Sequence, residues 1–278
     1  MASTFAGRYH QAQAENNVHV LRSSTAITLS VWKALFLREA LSRLFSGRAT
    51  WFWLLAEPVF NVAYLLVIFT VIRKQTIGGI NIVLWLMVGM LGYLLFQHTA
   101  RQVMNALNAN QSLFAYRQVK PIDTLLVRGV LEGLLMIIIA SIMLAGVALL
   151  GFSVIPADPL TVLEAFFGLW LVGMGFGLLT SVPSQLVPEL GRVINMAMMP
   201  LYILSGVIFP IASIPQPYRD WLLLNPVAHG LEGARLGFAP HYSAIPELNV
   251  AYMYGFALVT IFLGLALHRR FALRLVTR

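Results

Sequence analysis

Five stretches of this chain run for the length of a membrane crossing without a charged side chain: Ile77–Phe96, Gly133–Phe152, Ala165–Val187, Val193–Ile214 and Leu248–Leu267. A hydrocarbon core about 30 Å thick needs about 20 mostly apolar helical residues. A sixth stretch, Trp51–Ile72, meets that length with one carboxylate, Glu57, near its start. Backbone in lipid has to satisfy its polar groups internally, so these stretches must be helices. The expected fold is an all-α membrane protein with six transmembrane helices. Composition agrees: 59% of residues are hydrophobic and 11% charged, with mean hydropathy +0.78. Soluble domains carry roughly 25% charged residues, and so little polar surface could not cover a water-soluble globule.

The loops set the orientation. With the N-terminus inside, fifteen of the 19 basic residues fall in cytoplasmic segments, and only Arg73, Lys74, Arg219 and Arg235 fall outside. That asymmetry is the positive-inside bias, and it places both termini in the cytoplasm. It also accounts for the net charge of +8 without nucleic acid as a partner. Residues 1–26 form a polar extension with no apolar core of a cleavable signal, so the first span is expected to direct insertion. Membrane domain follows from 27 to 278.

Three segments outside the spans carry information. Ile27–Arg48 has a helical, apolar-rich pattern interrupted by Lys33, Arg38, Glu39, Arg43 and Arg48. Those charges spread around most of a helical wheel, which is a poor amphipathic pattern. The preferred reading is still an interface helix over 27–48 with snorkelling arginines. Between the second and third spans, 101–123 places Leu113, Phe114 and Tyr116 beside Arg117 and Lys120, and Pro121 ends the element. An apolar knob exposed there suits a partner's groove; the alternative is a loop helix folded back on its own bundle. Residues 215–247 are too long for a turn, and their best uncharged run, Trp221–Leu231, is too short to cross. With Pro210, Pro215, Pro217 and Pro226 breaking continuity, short re-entrant helices on the outer side are expected, bordering a protected pathway.

Several chemistries are absent from the pattern. Cysteine is missing altogether, which excludes disulfides, thiolate metal sites and cysteine nucleophiles. The phosphate-binding pattern G-x-x-x-x-G-K-[ST] does not occur; Lys33, Lys74 and Lys120 are followed by alanine, glutamine and proline. The six histidines show no metal spacing. No catalytic residues, cofactor site or metal site are expected in this chain. Of the ionisable groups at membrane depth, the pattern singles out Glu57 and Glu132, with Arg128 one turn before Glu132 and suited to pair with it. Gly173 and Gly177 form a G-x-x-x-G that reads as close helix packing.

These residues carry a family resemblance. Leu35–Pro58, LFLREALSRLFSGRATWFWLLAEP, resembles the interface helix and first span of ABC-2-type permeases. Asn108–Glu132, NANQSLFAYRQVKPIDTLLVRGVLE, is similar to the loop by which capsule-export permeases of the KpsM type meet their ATPase. Pro200–Tyr242 resembles their outer re-entrant region, and Ala251–Arg270, AYMYGFALVTIFLGLALHRR, fits the last span. Together these cover most of the chain after residue 30, in order. Thr50 departs from the family, which carries glycine there, and the N-terminal extension has no counterpart.

The resemblance implies a homodimeric inner-membrane permease bound to two ATPase subunits, which hold the ATP and Mg. It also implies a periplasmic adaptor, an outer-membrane polysaccharide channel and a lipid-linked, usually acidic, capsular polysaccharide as cargo. Under that reading the coupling surface comprises Asn110, Gln111, Leu113, Phe114, Tyr116, Arg117 and Lys120, with Leu113 and Phe114 as the apolar anchor. Sugar stacking needs aromatic faces, so Trp51, Trp53, Glu57, Phe60, Asn61 and Tyr64 are candidates for the path. For Trp51 and Trp53 the interfacial aromatic belt is the competing reading. Arg38, Arg43 and Arg48 are candidates to attract an acidic sugar or membrane lipid. Tyr218, Trp221 and Asn225 are candidates for an outer gate, although Asn225-Pro226 equally reads as a turn. The rival functions are a permease for another lipid-linked glycan such as O-antigen, or an ATP-independent channel or secondary transporter. The latter predicts inverted repeats and buried coupling charges.

Overall fold

The computed structural model describes residues 24–45, 52–53, 56, 58–60, 63–64, 67, 76–115, 119–239, 241–242 and 244–276. The first described element is α1, Ser24–Phe45, close to the expected interface helix. The described residues from Phe52 to Val67 are helical; the rest of the expected first span, including Trp51, Glu57 and Asn61, lies outside the described residues. So do the extension up to residue 23 and Arg48.

The second expected span is corrected at its start. Residues Thr76–Ile77 (β1) and Ile80–Asn81 (β2) pair antiparallel, turned by Gly78 and Gly79 at φ 58° and 90°. Two successive positive φ values are the signature of a tight hairpin turn, and glycine reaches them without a Cβ clash. Asn81 then caps α2, Ile82–Met104, by accepting from the Val83 amide at 2.9 Å. The helix continues past Phe96 because Gln97, His98 and Arg101 are compatible with helix; hydropathy marks the lipid boundary, not the helix end.

After α3, Ala106–Ala109, and a 3₁₀ turn at Gln111–Ala115, α4 runs Pro121–Leu149. It starts twelve residues before the apolar run, with proline in its first turn and Asp123 accepting from the Lys120 amide at 3.2 Å. Asp158 caps α5, Pro159–Leu186. A sharp corner at Val187 leads to α6, Pro188–Leu204. Among the described residues four helices are long and apolar enough to cross a membrane: α2, α4, α5 and Val250–Ala272, the main part of α9 (Val250–Val276).

The expected continuous span over 193–214 is also corrected. Helix α6 has 17 residues, about 25 Å of rise, and stops where Gly206 adopts φ +73° just before Pro210. A 3₁₀ turn at Ile211–Ser213, α7 (Tyr218–Leu222) and α8 (Pro226–Phe238) follow.

Helix α2 is the axis of the core. Its first fifteen residues are all buried because α4, α5 and α8 pack around it. Small residues permit that closeness. A Cβ at Gly173 would stand 2.8 Å from the Phe96 carbonyl oxygen, and one at Gly177 2.8 Å from that of Ala100. The G-x-x-x-G of α5 is thus a packing device against α2. Helix α9 lies on the other side of α5, where a Cβ at Gly175 would meet the Ala257 carbonyl at 3.0 Å.

Candidate functional site

Helices α2, α5 and α9 run parallel, as the rising contacts Gly173–Phe96, Gly177–Ala100, Gly168–Met253 and Ser181–His268 show, and α4 runs against them, so one end of the bundle gathers α1, the 105–120 connection and the α5–α6 corner. This loop end carries the expected coupling residues, and they do not behave alike. Asn110 is buried; its side chain donates to the Ala106 carbonyl at 3.0 Å and accepts from the Arg38 guanidinium. Gln111 and Lys120 are exposed and Leu113 is half-buried. Tyr116 and Arg117 lie outside the described residues.

Phe114 corrects the expected exposed anchor. It is 8% exposed and packs with Val103, Ala106, Leu107, Leu125 and Leu275. Burying a phenylalanine is worth about 1.5–3 kcal/mol, so the ring turns to the bundle rather than to solvent. The loop folds back on its own helices and presents polar groups outward: Asn105, Asn108 and Gln111 are exposed.

Helix α1 is held to α4 by ions. Arg128 Nε donates to Glu39 Oε1 at 2.6 Å, and Arg43 Nη1 donates to Glu132 Oε2 at 2.6 Å. Arg43 also lies 3.5 Å from Glu39, and His98 of α2 lies 3.3 Å from Glu132. The Trp32 indole adds a hydrogen bond to Asp123 at 2.9 Å. The expected local pair Arg128–Glu132 therefore does not form; each residue reaches across to α1 instead. This arrangement explains the failed helical wheel. The packed face of α1 is ionic, while Leu29, Leu37 and Leu41 point outward, as suits a helix with lipid on its free side. Arg43, expected to attract lipid or sugar, has its charge paired with two carboxylates; Arg38 remains half free at 45% side-chain exposure.

The opposite, hairpin end holds a second polar node that the sequence reading missed. On α8, Glu232 and Arg235 are both fully buried, 3.0 Å apart. Arg235 stacks on the Trp85 ring at 3.6 Å and reaches the Val207 carbonyl at 3.3 Å. Tyr242 donates to Glu232 at 2.8 Å and accepts from the Trp85 indole at 3.3 Å. Nothing short of the fold buries these charges, since Arg235 counts as an ordinary outer-loop cation in sequence. The hint was local: Glu232 and Arg235 stand at i, i+3 among Gly230, Gly233 and Ala234, and Gly89 and Gly92 let α2 approach α8. A Cβ at Gly89 would stand 2.4 Å from the Arg235 guanidinium.

The remaining candidates divide. Trp53, Phe60 and Tyr64 are 64%, 70% and 66% exposed, with Trp53 edge-on to Phe52 at 5.7 Å. Tyr218 and Trp221 are exposed on α7. Asn225 is committed elsewhere: it caps α8 through the Val227 amide at 3.1 Å and donates to Ser205 at 2.8 Å. The turn reading, not the gate, fits that residue.

A hydrophobic helical bundle with four crossing-length helices, a folded polar loop at one end and a broken helical segment at the other is a polytopic membrane protein. Its family follows from comparison: the ABC-2 type transporter model matches residues 30–239, and the chain belongs to that family. It is 33% identical over 248 residues to the polysialic acid transport protein KpsM of Escherichia coli, covering 89% of this chain and 96% of that protein. It is 28% identical over 252 residues to the capsule polysaccharide export inner-membrane protein CtrC of Neisseria meningitidis, covering 90% and 94%. Against BexB of Haemophilus influenzae, which bears the same description, identity is 24% over 251 residues, with 90% and 94% covered.

Proposed function

We propose that this chain is the inner-membrane permease subunit of an ATP-driven exporter that moves a lipid-linked capsular polysaccharide out of the cytoplasm. The observation that carries the reading is the near full-length match to capsule-export inner-membrane proteins. The sequence lacks a phosphate-binding lysine loop, so ATP and Mg belong to a separate ATPase. The working unit is a homodimer with two ATPase subunits, a periplasmic adaptor and an outer-membrane channel, in a Gram-negative inner membrane with both termini cytoplasmic. The helical residues around Phe60 and helix α6 with its extension complete six spans. Helices α7 and α8 form the outer re-entrant segment, with Tyr218 and Trp221 at the exit. Trp53, Phe60 and Tyr64, exposed within one copy, line the path at the seam between copies.

Coupling begins at the polar rim of the loop end. The ATPase meets Gln111 and Lys120, with Leu113 at the edge, while Phe114 stiffens the loop from beneath. Displacement of the loop reaches α1 through Asn110 and Arg38, then α4 through the Glu39–Arg128 and Arg43–Glu132 pairs. Coupling needs two states that differ in contacts, and this ionic face is where α1 and α4 can exchange partners.

The test is co-purification with the neighbouring ATPase, comparing wild type with Gln111→Trp. Wild type should form a complex that hydrolyses ATP and restores export, whereas the variant should insert normally and lose the ATPase. Transport by the wild-type chain alone, with no ATPase present, would transfer the assignment to an autonomous channel.

A further inference from the structure

At the loop end, a cavity of about 280 Å³ opens between the end of α2, α3 and the α5–α6 corner. Asn105 and Asn108 line one wall, and Ser184, Gln185, Arg192 and Asn195 the other. We propose that this cavity is a loading site for the glycan part of the cargo, receiving a hydroxyl-rich sugar with an acidic substituent near Arg192. The assignment rests on the permease reading above and adds where the cargo is first held.

The chemistry of the lining selects the ligand. Amides and hydroxyls both donate and accept, which matches sugar hydroxyls, and no carboxylate lines the wall. Part of that capacity is already oriented. Asn195 donates to the Gly191 carbonyl at 2.9 Å, which leaves its amide oxygen as an acceptor. Ser184 donates to the Ser181 carbonyl at 3.0 Å, which leaves its lone pairs toward a donor. Among the described residues the side chains of Asn105, Asn108 and Arg192 make no hydrogen bond or ion pair, so they are available without breaking anything. A protein segment from the ATPase is the poorer occupant. Protein interfaces are anchored by aromatic or aliphatic side chains in pockets, and Pro188 is the one apolar side chain this lining offers. The site also sits one helical turn from the coupling loop through Asn105 and Asn108, so occupancy and ATPase contact share an element.

Because the chain has no cysteine, single cysteines report the cavity directly. Asn108→Cys and Asn195→Cys would be labelled with a maleimide in ATP-depleted membranes, with the ATPase present, from cells that make the glycan and from cells blocked in its synthesis. At about nine-tenths occupancy, labelling should slow about tenfold when glycan is present, and Arg192→Gln should abolish that protection while the ATPase complex persists. Equal rates with and without glycan at both positions overturn the proposal. Protection that follows the ATPase and ignores glycan also overturns it, giving the cavity to the partner protein. The underlying reading fails separately: a wild-type chain that cannot restore export to a deletion strain is no permease, whereas restored export with unprotected cysteines defeats only the loading site.

Discussion

The two ionic clusters flank α2 at opposite ends and are built on different plans. At the hairpin end one anion and one cation stand on the same helix, both without solvent exposure. At the loop end five ionisable groups come from α1, α2 and α4, and its basic side chains keep some access to water: 12% for Arg43, 13% for Arg128 and 23% for His98. Each carboxylate there has more than one partner. Taking charges out of water costs several kcal/mol per ion, and a single pair recovers that only with good geometry and added hydrogen bonds. The hairpin-end node has those additions in Tyr242, Val207 and the Trp85 face, but no spare charge. It is suited to fixing one arrangement of α8. The loop-end cluster has redundancy, so partners can change without stranding a charge, which suits an element that has to move.

The largest effect should come from breaking the hairpin-end pair. Glu232→Gln or Arg235→Met leaves one charge buried and unpaired, at a cost of about 3–5 kcal/mol, and most of the chain should fail to purify as a monodisperse species. The double change Glu232→Met with Arg235→Met removes both charges at similar volume and should recover most of the lost thermal stability. Melting curves of the detergent-solubilised protein decide it. If the double variant is no better than either single one, the node is not an ion pair in the energetic sense and the contrast between the ends collapses.

A middle-sized effect is expected at the loop end. Arg128→Met leaves Glu39 with Arg43 and partial hydration, so stability should fall by only about 1–3 kcal/mol. Export per ATP hydrolysed should fall more than stability does, because the link from α1 to α4 is cut. Glu39→Arg with Arg128→Glu re-forms the pair in reverse and should regain part of both. A melting loss as large as that of Arg235→Met, with normal coupling in the surviving protein, would make this cluster another static lock.

What was legible in the sequence and what was not follows from range. Spans were visible because lipid imposes a composition on twenty consecutive residues, and Gly173 with Gly177 gave away a helix contact because their spacing is local. Proline marked a real break at Pro226, whereas the turns at Gly78–Gly79 and Gly206 were read through as parts of continuous spans. Phe114 was misread because one of the residues packed with it, Leu275, is far along the chain. Leu275 lies on a part of α9 that runs beyond the apolar stretch, where hydropathy stops reporting helix. The charges of α1 misled the wheel for a related reason. A face can be buried by being paired with another element's charges, and a one-helix test sees polarity but not its partners.

The smallest effect lies outside both clusters, at Asp158, an exposed carboxylate with no counter-ion among the described residues. It accepts from the Thr161 hydroxyl at 2.6 Å and from the amides of Leu160 and Thr161 at 3.1 and 3.3 Å. The Thr161 hydrogen bonds hold its pKa below the ordinary 3.8. A carboxyl whose folded pKa is depressed stabilises the fold above its unfolded pKa, and that contribution disappears as pH falls through the folded value. Asp158→Ala should therefore lower the melting temperature slightly near neutral pH, and the gap to wild type should close on acidification below the ordinary aspartate range. Water screens this site, whereas the buried Glu232 has its partner in a dry core. Asp158→Ala therefore supplies the floor against which the two clusters are ranked. A loss there equal to that of Arg128→Met would mean that helix capping, not cross-helix pairing, sets the middle of the scale.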